Sequence, residues 1–429
     1  MKRIALVVVV SALLAAACSS DRQSAGTRAD GGGPIEGSIV VQVSGEPEET
    51  AVYQGLVEEF ERQNPDVEVE LVEIAEKDDH LTRLATAFSG GEPPDVFLVN
   101  FREYSQFAVL GAIAPVAPFI EEAGVAVDSY YPQPIEAFTF EGELTCMPQN
   151  ISSLVTYYNV DLFEEAGLEP PADDWTWDDF RETAIALTNG ENYGLGIEPS
   201  IIRVAPFVWG NGGEIVDDTD APTRFTLDTP EAREALEFIL GLVRDDGVVP
   251  TESDVASKDL ETRFGQGTLG MLLSSRRDTP QFREINSLNW DVAPLPVGRE
   301  PAGILHSDAY CISEASDAKE VAFGFVEYAT GETGQEITAS AGRTVPSLKE
   351  VSNSTAFLDP TQPPEHSQVF LDGIPYIQRT PVISTWTEIE DAAEEILTRA
   401  FYQEGYTIDD LIQELDAATV HLFEEAQGP

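Results

Sequence analysis

Ser38-Ile-Val-Val-Gln-Val opens a run that closes at Asp95-Val-Phe-Leu-Val, and the fold is decided between them. The first stretch is short and apolar and ends at Gly45-Glu46-Pro47, so it reads as a buried strand stopped by a loop. Tyr53, Leu56, Val57 and Phe60 then fall at i, i+3, i+4 and i+7, one face of a helix that Asn64-Pro65 stops. Val67, Val69 and Leu71 alternate as a second strand. Leu81, Leu84, Ala85 and Phe88 give another helical face, closed by Gly90-Gly91. Strand, helix, strand, helix, strand implies a parallel sheet with right-handed crossovers. Ligands of such sheets bind beyond the carboxyl ends of the strands, which puts the loops at Gly45 and Asn100 on a binding edge.

Tyr157 to Leu305 repeats the mixture of helices and strands. Thr176 and Asp179, three apart before Phe180, Ala184 and Leu187, form a capping-box pattern. Thr229-Pro230-Glu231 starts another helix, with Leu236, Ile239, Leu240 and Val243 as its buried face. Ile389, Ala392, Ala393, Ile396 and Ala400 make a further face, and Thr407 and Asp410 cap a last helix carrying Leu411 and Leu415. Pro360 to Pro364 separates these helices from what precedes.

The 429 residues, 42% of them apolar, allow two or three domains with substantial cores. Twenty-four Lys and Arg against 77 Asp and Glu leave a formal charge of 24 − 77 = −53. That balance excludes nucleic acid as a partner, because phosphate neutralisation needs clustered cations. It fits a hydrated acidic surface in a salty exterior.

Residues 1–17 read as an export signal: Lys2-Arg3, an apolar stretch, then Ala15-Ala16-Ala17. Cys18 follows, with Ser19-Ser20, and resembles the acylated cysteine of bacterial lipoproteins, although Leu14 stands one residue earlier than that family prefers. Lipidation there would tether the chain to the outer face of the cytoplasmic membrane, with residues 18–37 as a flexible linker that contains Gly31-Gly32-Gly33-Pro34; ordinary signal cleavage after Ala17 is the alternative. Cys146 and Cys311 remain; in an oxidising compartment they suggest a disulfide, and two separately buried thiols are the alternative.

Catalytic signatures are scarce. The four histidines, His80, His306, His366 and His421, lack metal-ligand spacing, and there is no C-x-x-C, G-x-S-x-G or P-loop, so neither metal nor cofactor is expected. With 77 acids, a pair of carboxylates at glycosidase spacing carries no information. What the chain offers is aromatics beside amides, acids and arginines: Trp209 with Asn211, Tyr104 with Asn100 and Arg102, Asp308 with Tyr310. Aromatic faces with convergent hydrogen-bonding groups suit polyols.

In their order and spacing, several segments together resemble the extracellular solute-binding proteins of ABC importers, in the sugar-binding group related to maltose- and glycerol-phosphate-binding proteins. They are Phe60-Glu-Arg-Gln-Asn-Pro-Asp-Val, Ser89-Gly-Gly-Glu-Pro-Pro-Asp-Val-Phe, Met147-Pro-Gln-Asn, Tyr157-Tyr-Asn-Val-Asp-Leu-Phe-Glu-Glu-Ala-Gly-Leu, Trp175-Thr-Trp-Asp-Asp-Phe, Trp209-Gly-Asn-Gly-Gly, Phe264-Gly-Gln-Gly-Thr-Leu-Gly-Met and Gly342-Arg-Thr-Val-Pro-Ser.

The resemblance implies an α/β, two-lobed periplasmic-binding-protein-like fold, each lobe a mostly parallel sheet flanked by helices, with the ligand cleft at the hinge. Lobe one would be 38–145 plus 310–350 and lobe two 148–306 plus 360–429. Cys146 and Cys311 would pair where strands cross between the lobes. Ligand contacts would come from Glu46, Glu48, Asn100, Arg102, Tyr104, Asn150, Ser152, Trp209, Asn211, Ser275, Arg276, His306, Asp308, Tyr310, Arg343 and Trp386, with Trp386 as a stacking platform. Partners would be a small-molecule ligand and permease subunits, the chain acting as a monomer and not as an enzyme. Arg276-Arg277 stands where many relatives carry Gly-Trp, so a phosphate or carboxylate ligand held bidentately stays open beside a sugar. A secreted carbohydrate-active enzyme is the other alternative.

Overall fold

The computed structural model describes residues 35–427 except residue 46. The export signal, Cys18, nearly all of the expected tether and Glu46 lie outside the described residues, as does the side chain of Glu48.

The strands Gly37–Ser44, Val67–Ile74 and Val96–Asn100 are joined by the helices Pro47–Gln63 and Lys77–Gly90. The first strand pairs in parallel with the other two. Their apolar residues and the inner helix faces are removed from water together: Ile39, Val41, Leu56, Phe60, Leu84 and Val96 are all buried. Each such side chain contributes on the order of 1.5–3 kcal/mol.

The sheet then takes in strands from further along the chain. Asp308–Ser313 runs antiparallel beside Val96–Asn100 and also pairs with Ile113–Ala114 and Cys146–Pro148. A second, four-stranded sheet has the order Trp290–Ala293, Val155–Asn159, Leu269–Ser274, Tyr193–Gly196. Only its last pair is parallel. The expectation of mostly parallel sheets is therefore corrected: both are mixed. The physical reason is the path of the chain. Strands that arrive from the other lobe enter a sheet from the opposite end and so run against their neighbours.

Helix starts in the second lobe follow local chemistry. Thr176 and Thr407 each form a reciprocal capping box, with Asp179 and Asp410, and the Thr229 side chain accepts from the backbone N–H of Ala232. The helices Ile201–Gly210, Pro230–Arg244, Trp386–Tyr402 and Ile408–Ala426 pack into one apolar cluster over one face of the four-stranded sheet. Trp175 donates its indole N–H to the Pro294 carbonyl (3.0 Å), and Trp177 stacks on Phe238 (4.6 Å between centroids), so both serve packing.

Three stretches of chain cross between the sheets side by side. Ser152 and His306 exchange backbone hydrogen bonds of 2.8 and 2.9 Å, and Ile151 donates to the Val345 carbonyl (2.9 Å). Cys146 and Cys311 are cross-strand neighbours at the root of two of these crossings and are disulfide-bonded. Among the described residues no helix is long and apolar enough to cross a membrane.

Candidate functional site

The carboxyl edge of the first sheet faces the second lobe across the crossings. Asn100 ends the strand Val96–Asn100 and caps the helix Phe101–Ala108 by accepting from the backbone N–H of Arg102. Its register partner is Asp308. The Asp308 carboxylate accepts from Asn100 Nδ2 (3.1 Å) and Asn150 Nδ2 (3.0 Å), and its backbone N–H donates to Asn150 Oδ1 (2.9 Å). Two amides and a carboxylate from three distant segments are thus locked in one orientation.

Beside them Glu49, in the first turn of the helix Pro47–Gln63, pairs with Arg343 (2.5 Å) and accepts from the hydroxyl of Tyr53 one turn on (3.0 Å). Burial raises the Glu49 carboxyl above its ordinary pKa, against the opposing pull of Arg343. Its second oxygen, Oε2, is buried with no hydrogen-bond partner among the described residues.

The facing lobe supplies more such pairs. Arg203 on the helix Ile201–Gly210 meets Glu198 (2.8 Å), and Arg277 meets Asp278 (3.2 Å) and Glu261 (3.4 Å). Arg102 reaches across to Glu390 on the helix Trp386–Tyr402 (2.6 Å), joining the lobes. Trp386, one turn before, donates its indole N–H to the other Glu390 oxygen (2.8 Å).

His306 sits where these charges converge. Burial, and then the charges of Arg102, Arg203, Arg277 and Lys77, hold its imidazole well below the usual histidine pKa and favour the neutral ring; separately, its buried Nε2 has no hydrogen-bond partner among the described residues. Such a set offers fixed donors and acceptors from both lobes; it holds no nucleophile paired with a base. No group of three or more His, Cys, Asp or Glu side chains able to hold a metal ion occurs among the described residues.

The structure therefore gathers Asn100, Arg102, Asn150, His306, Asp308 and Arg343, with the crossing residue Ser152 bonded to His306. It sends the aromatics elsewhere. Tyr104 is fully buried against Phe138, and Tyr310 is fully buried near Phe325 with its hydroxyl accepting from Gln149. Trp209 is buried in the core of the second lobe, and Asn211 spends its amide on Glu231 and Glu234. Trp386 is 0% exposed, flanked by Phe225 and Phe423, so the stacking platform expected of it is corrected to a core ring. Ser275 is buried, its carbonyl accepting from Tyr157 (2.8 Å), and Arg276 is buried between Phe357 and Phe370. In each case neighbouring helices or loops cover the ring or guanidinium, which a local run of residues does not reveal.

Glu49, Arg203, Glu198, Glu261, Asp278 and Glu390 were missed. Glu390, between Ile389 and Ala393, and Arg203, within the apolar helix Ile201–Gly210, carry the one local signal, a charged residue inside an apolar helix face.

Trp386→Ala is accordingly expected to act on the fold. It should cost about 3–5 kcal/mol of stability, while Trp386→Phe, which keeps the ring and loses the indole bond to Glu390, should cost about 1–2 kcal/mol. Thermal melts of the two variants check the order.

The model of the bacterial extracellular solute-binding proteins matches residues 44–336. The chain belongs to that family, the binding components of ABC importers. A binding protein of Brucella abortus (strain 2308) is 25% identical over 82% of this chain and 85% of its own length. The maltotriose-binding protein of Pyrococcus abyssi is 24% identical over 61% of this chain and 54% of its own. Among solved structures, an ABC substrate-binding protein of Listeria monocytogenes in complex with cycloalternan superposes with a TM-score of 0.82 at 27% identity, covering 92% of this chain and all of that one. Maltose-bound MalE3 of T. maritima superposes at 0.76 with 21% identity, covering 90% and 99%, and shares the two-lobed fold.

Proposed function

We propose that this chain captures a neutral, hydroxyl-rich solute, a sugar or oligosaccharide, between its lobes and hands it unchanged to a membrane permease. One observation carries the choice of ligand. Each of the four arginines gathered there, Arg102, Arg203, Arg277 and Arg343, already holds a carboxylate, at 2.6, 2.8, 3.2 and 2.5 Å. A phosphate or carboxylate ligand would have to displace an acid from its cation and leave it in a partly buried place, a loss of several kcal/mol. A polyol needs no displacement, because its hydroxyls accept from the guanidinium and donate to the carboxylate of the same pair. The buried, unpartnered Oε2 of Glu49 and Nε2 of His306 fit hydroxyl partners in the same way. Solved relatives holding cycloalternan and maltose support this reading, and the glycerol-3-phosphate-binding relative of Escherichia coli, 27% identical over 56% of this chain, stands for the anionic alternative.

In this reading residues 38–145 with 310–350 form one lobe and 148–306 with 360–429 the other. The ligand touches both only when they approach, so binding shifts the population toward closure. Export by residues 1–17, acylation of Cys18 and action as a monomer complete the proposal.

A thermal-shift panel of neutral mono- to oligosaccharides against glycerol 3-phosphate tests it. At a hundredfold excess over Kd the true ligand should stabilise by about 2.7 kcal/mol. A neutral sugar should raise the melting temperature and be recovered intact. A rise with glycerol 3-phosphate alone, or consumption of the sugar over many turnovers, contradicts the proposal.

A further inference from the structure

A cavity of about 670 Å³ opens in the second lobe between the helices Val160–Ala166 and Leu260–Gly265 and the segment 281–288. It lies away from the crossings. The strand Val155–Asn159 begins just after the crossing residue Ser152, and Asn159, at its other end, stands in the cavity wall. Of the charged set between the lobes only Glu261, the partner of Arg277, reaches that wall.

Asn159 is 3% exposed, yet half of its amide is unspent. Its Oδ1 accepts from the backbone N–H of Leu162 (3.0 Å) and caps the helix, while its Nδ2 donates to no group among the described residues. A buried amide N–H costs free energy unless it is bonded, so its acceptor has to come from the cavity. Gly267 leaves the approach open: it has φ +72°, and a Cβ built there would lie 3.7 Å from Nδ2. Other groups in the wall are half-used in the same way. Gln266 Oε1 accepts from Lys258 Nζ (2.6 Å), which leaves the Gln266 NH2 to donate. Asp161 accepts from Asn289 at one oxygen (2.8 Å) and keeps the other. Leu162, Ile285 and Leu288 add apolar carbon. Three carboxylates and no lysine or arginine line the cavity, which disfavours an anion. Asp161 and Glu165 are exposed and hydrated, so they do not require a cation. Amide donors, carboxylate acceptors and apolar carbon together match the hydroxyls and C–H groups of a sugar ring, and the volume falls in the range of small-molecule sites.

We infer that this cavity is a second binding site, for one or two units of a neutral glycan, outside the space between the lobes. Phe282 is the one ring in its wall and is 1% exposed, so no aromatic face is open for stacking. Binding is therefore weak, with a Kd on the order of 1–10 mM. The site would hold a glycan whichever solute the lobes close on.

Methyl NMR of the intact protein, labelled at isoleucine δ1 and titrated with maltose, tests it. Ile285 lies in the wall, and its signal is assigned by its disappearance in Ile285→Val. The signal should move along a saturating millimolar curve with maltose and stay still with glycerol 3-phosphate. Asn159→Asp keeps the capping oxygen and removes the amide N–H, and it should weaken that curve at least tenfold. Gln281 is exposed and lines the same wall, so Gln281→Ala should spare the fold and weaken the curve several-fold. An Ile285 signal unmoved up to about 50 mM maltose, fivefold or more above the expected Kd, overturns the site. So does a curve that neither variant weakens, or an equal shift with glycerol 3-phosphate.

Discussion

Arg343→Ala is expected to lower the stability of the protein by about 3 kcal/mol and to weaken solute binding by more than tenfold. The reason is the carboxylate left behind. Glu49 is 9% exposed at its side chain, and Arg343 is its ion-pair partner at 2.5 Å. With the guanidinium gone, the Tyr53 hydroxyl is the remaining side-chain donor to Glu49 among the described residues, and burial drives the carboxyl to take up a proton. The double variant Arg343→Ala/Glu49→Gln removes the stranded charge and should recover much of the stability while leaving binding weak. Urea unfolding of the two variants beside calorimetric titration separates the effects. Equal stability of the single and double variants would show that the pair does not matter to the fold.

Replacing both Cys146 and Cys311 with alanine should lower the unfolding midpoint by an amount equivalent to about 2–5 kcal/mol. The bridge closes a loop of 165 residues, which in the chain-entropy account restricts the unfolded ensemble strongly. Both cysteines are 0% exposed, so reductant should act on the native protein only slowly. Urea midpoints of the double variant and of protein unfolded in the presence of dithiothreitol should agree. Unchanged midpoints would mean that the ladder between the two strands alone pins the crossings.

The strand-and-helix run from Ser38 to Val99 was legible because each of its signals is local: apolar alternation, helical spacing and stops at Gly45, Asn64-Pro65 and Gly90-Gly91. The caps at Thr176, Thr229 and Thr407 were legible for the same reason. Sheet direction was not, because the strand Asp308–Ser313 enters the first sheet from a segment some two hundred residues later, and nothing near it states which way it will run. The site divided along similar lines. Asn150 was found through a segment that carries the family resemblance, Asn100 from its place at the end of the third strand, and Asp308 from an acid set beside an aromatic. The aromatics failed because a ring beside an amide in sequence says nothing about which face a helix turns inward. Trp209 and Trp386 went to the core with Ile389 and Leu236. Glu390 was hidden by distance, since its partner Arg102 lies 288 residues away.

The acidic surface has a bearing on transport as well. Most of the 77 acids are exposed, yet the arginines gathered between the lobes are balanced pair by pair. The field that a bound solute meets there is local and dipolar, whatever the net charge outside.

Small-angle X-ray scattering on the purified protein, with and without a saturating amount of the sugar that gives the largest thermal shift, asks most directly whether the halves move together around it. The account expects the radius of gyration to fall and the profile to match a more compact two-body shape. A profile that stays the same on saturation, with calorimetry confirming that the sugar is bound, would contradict it.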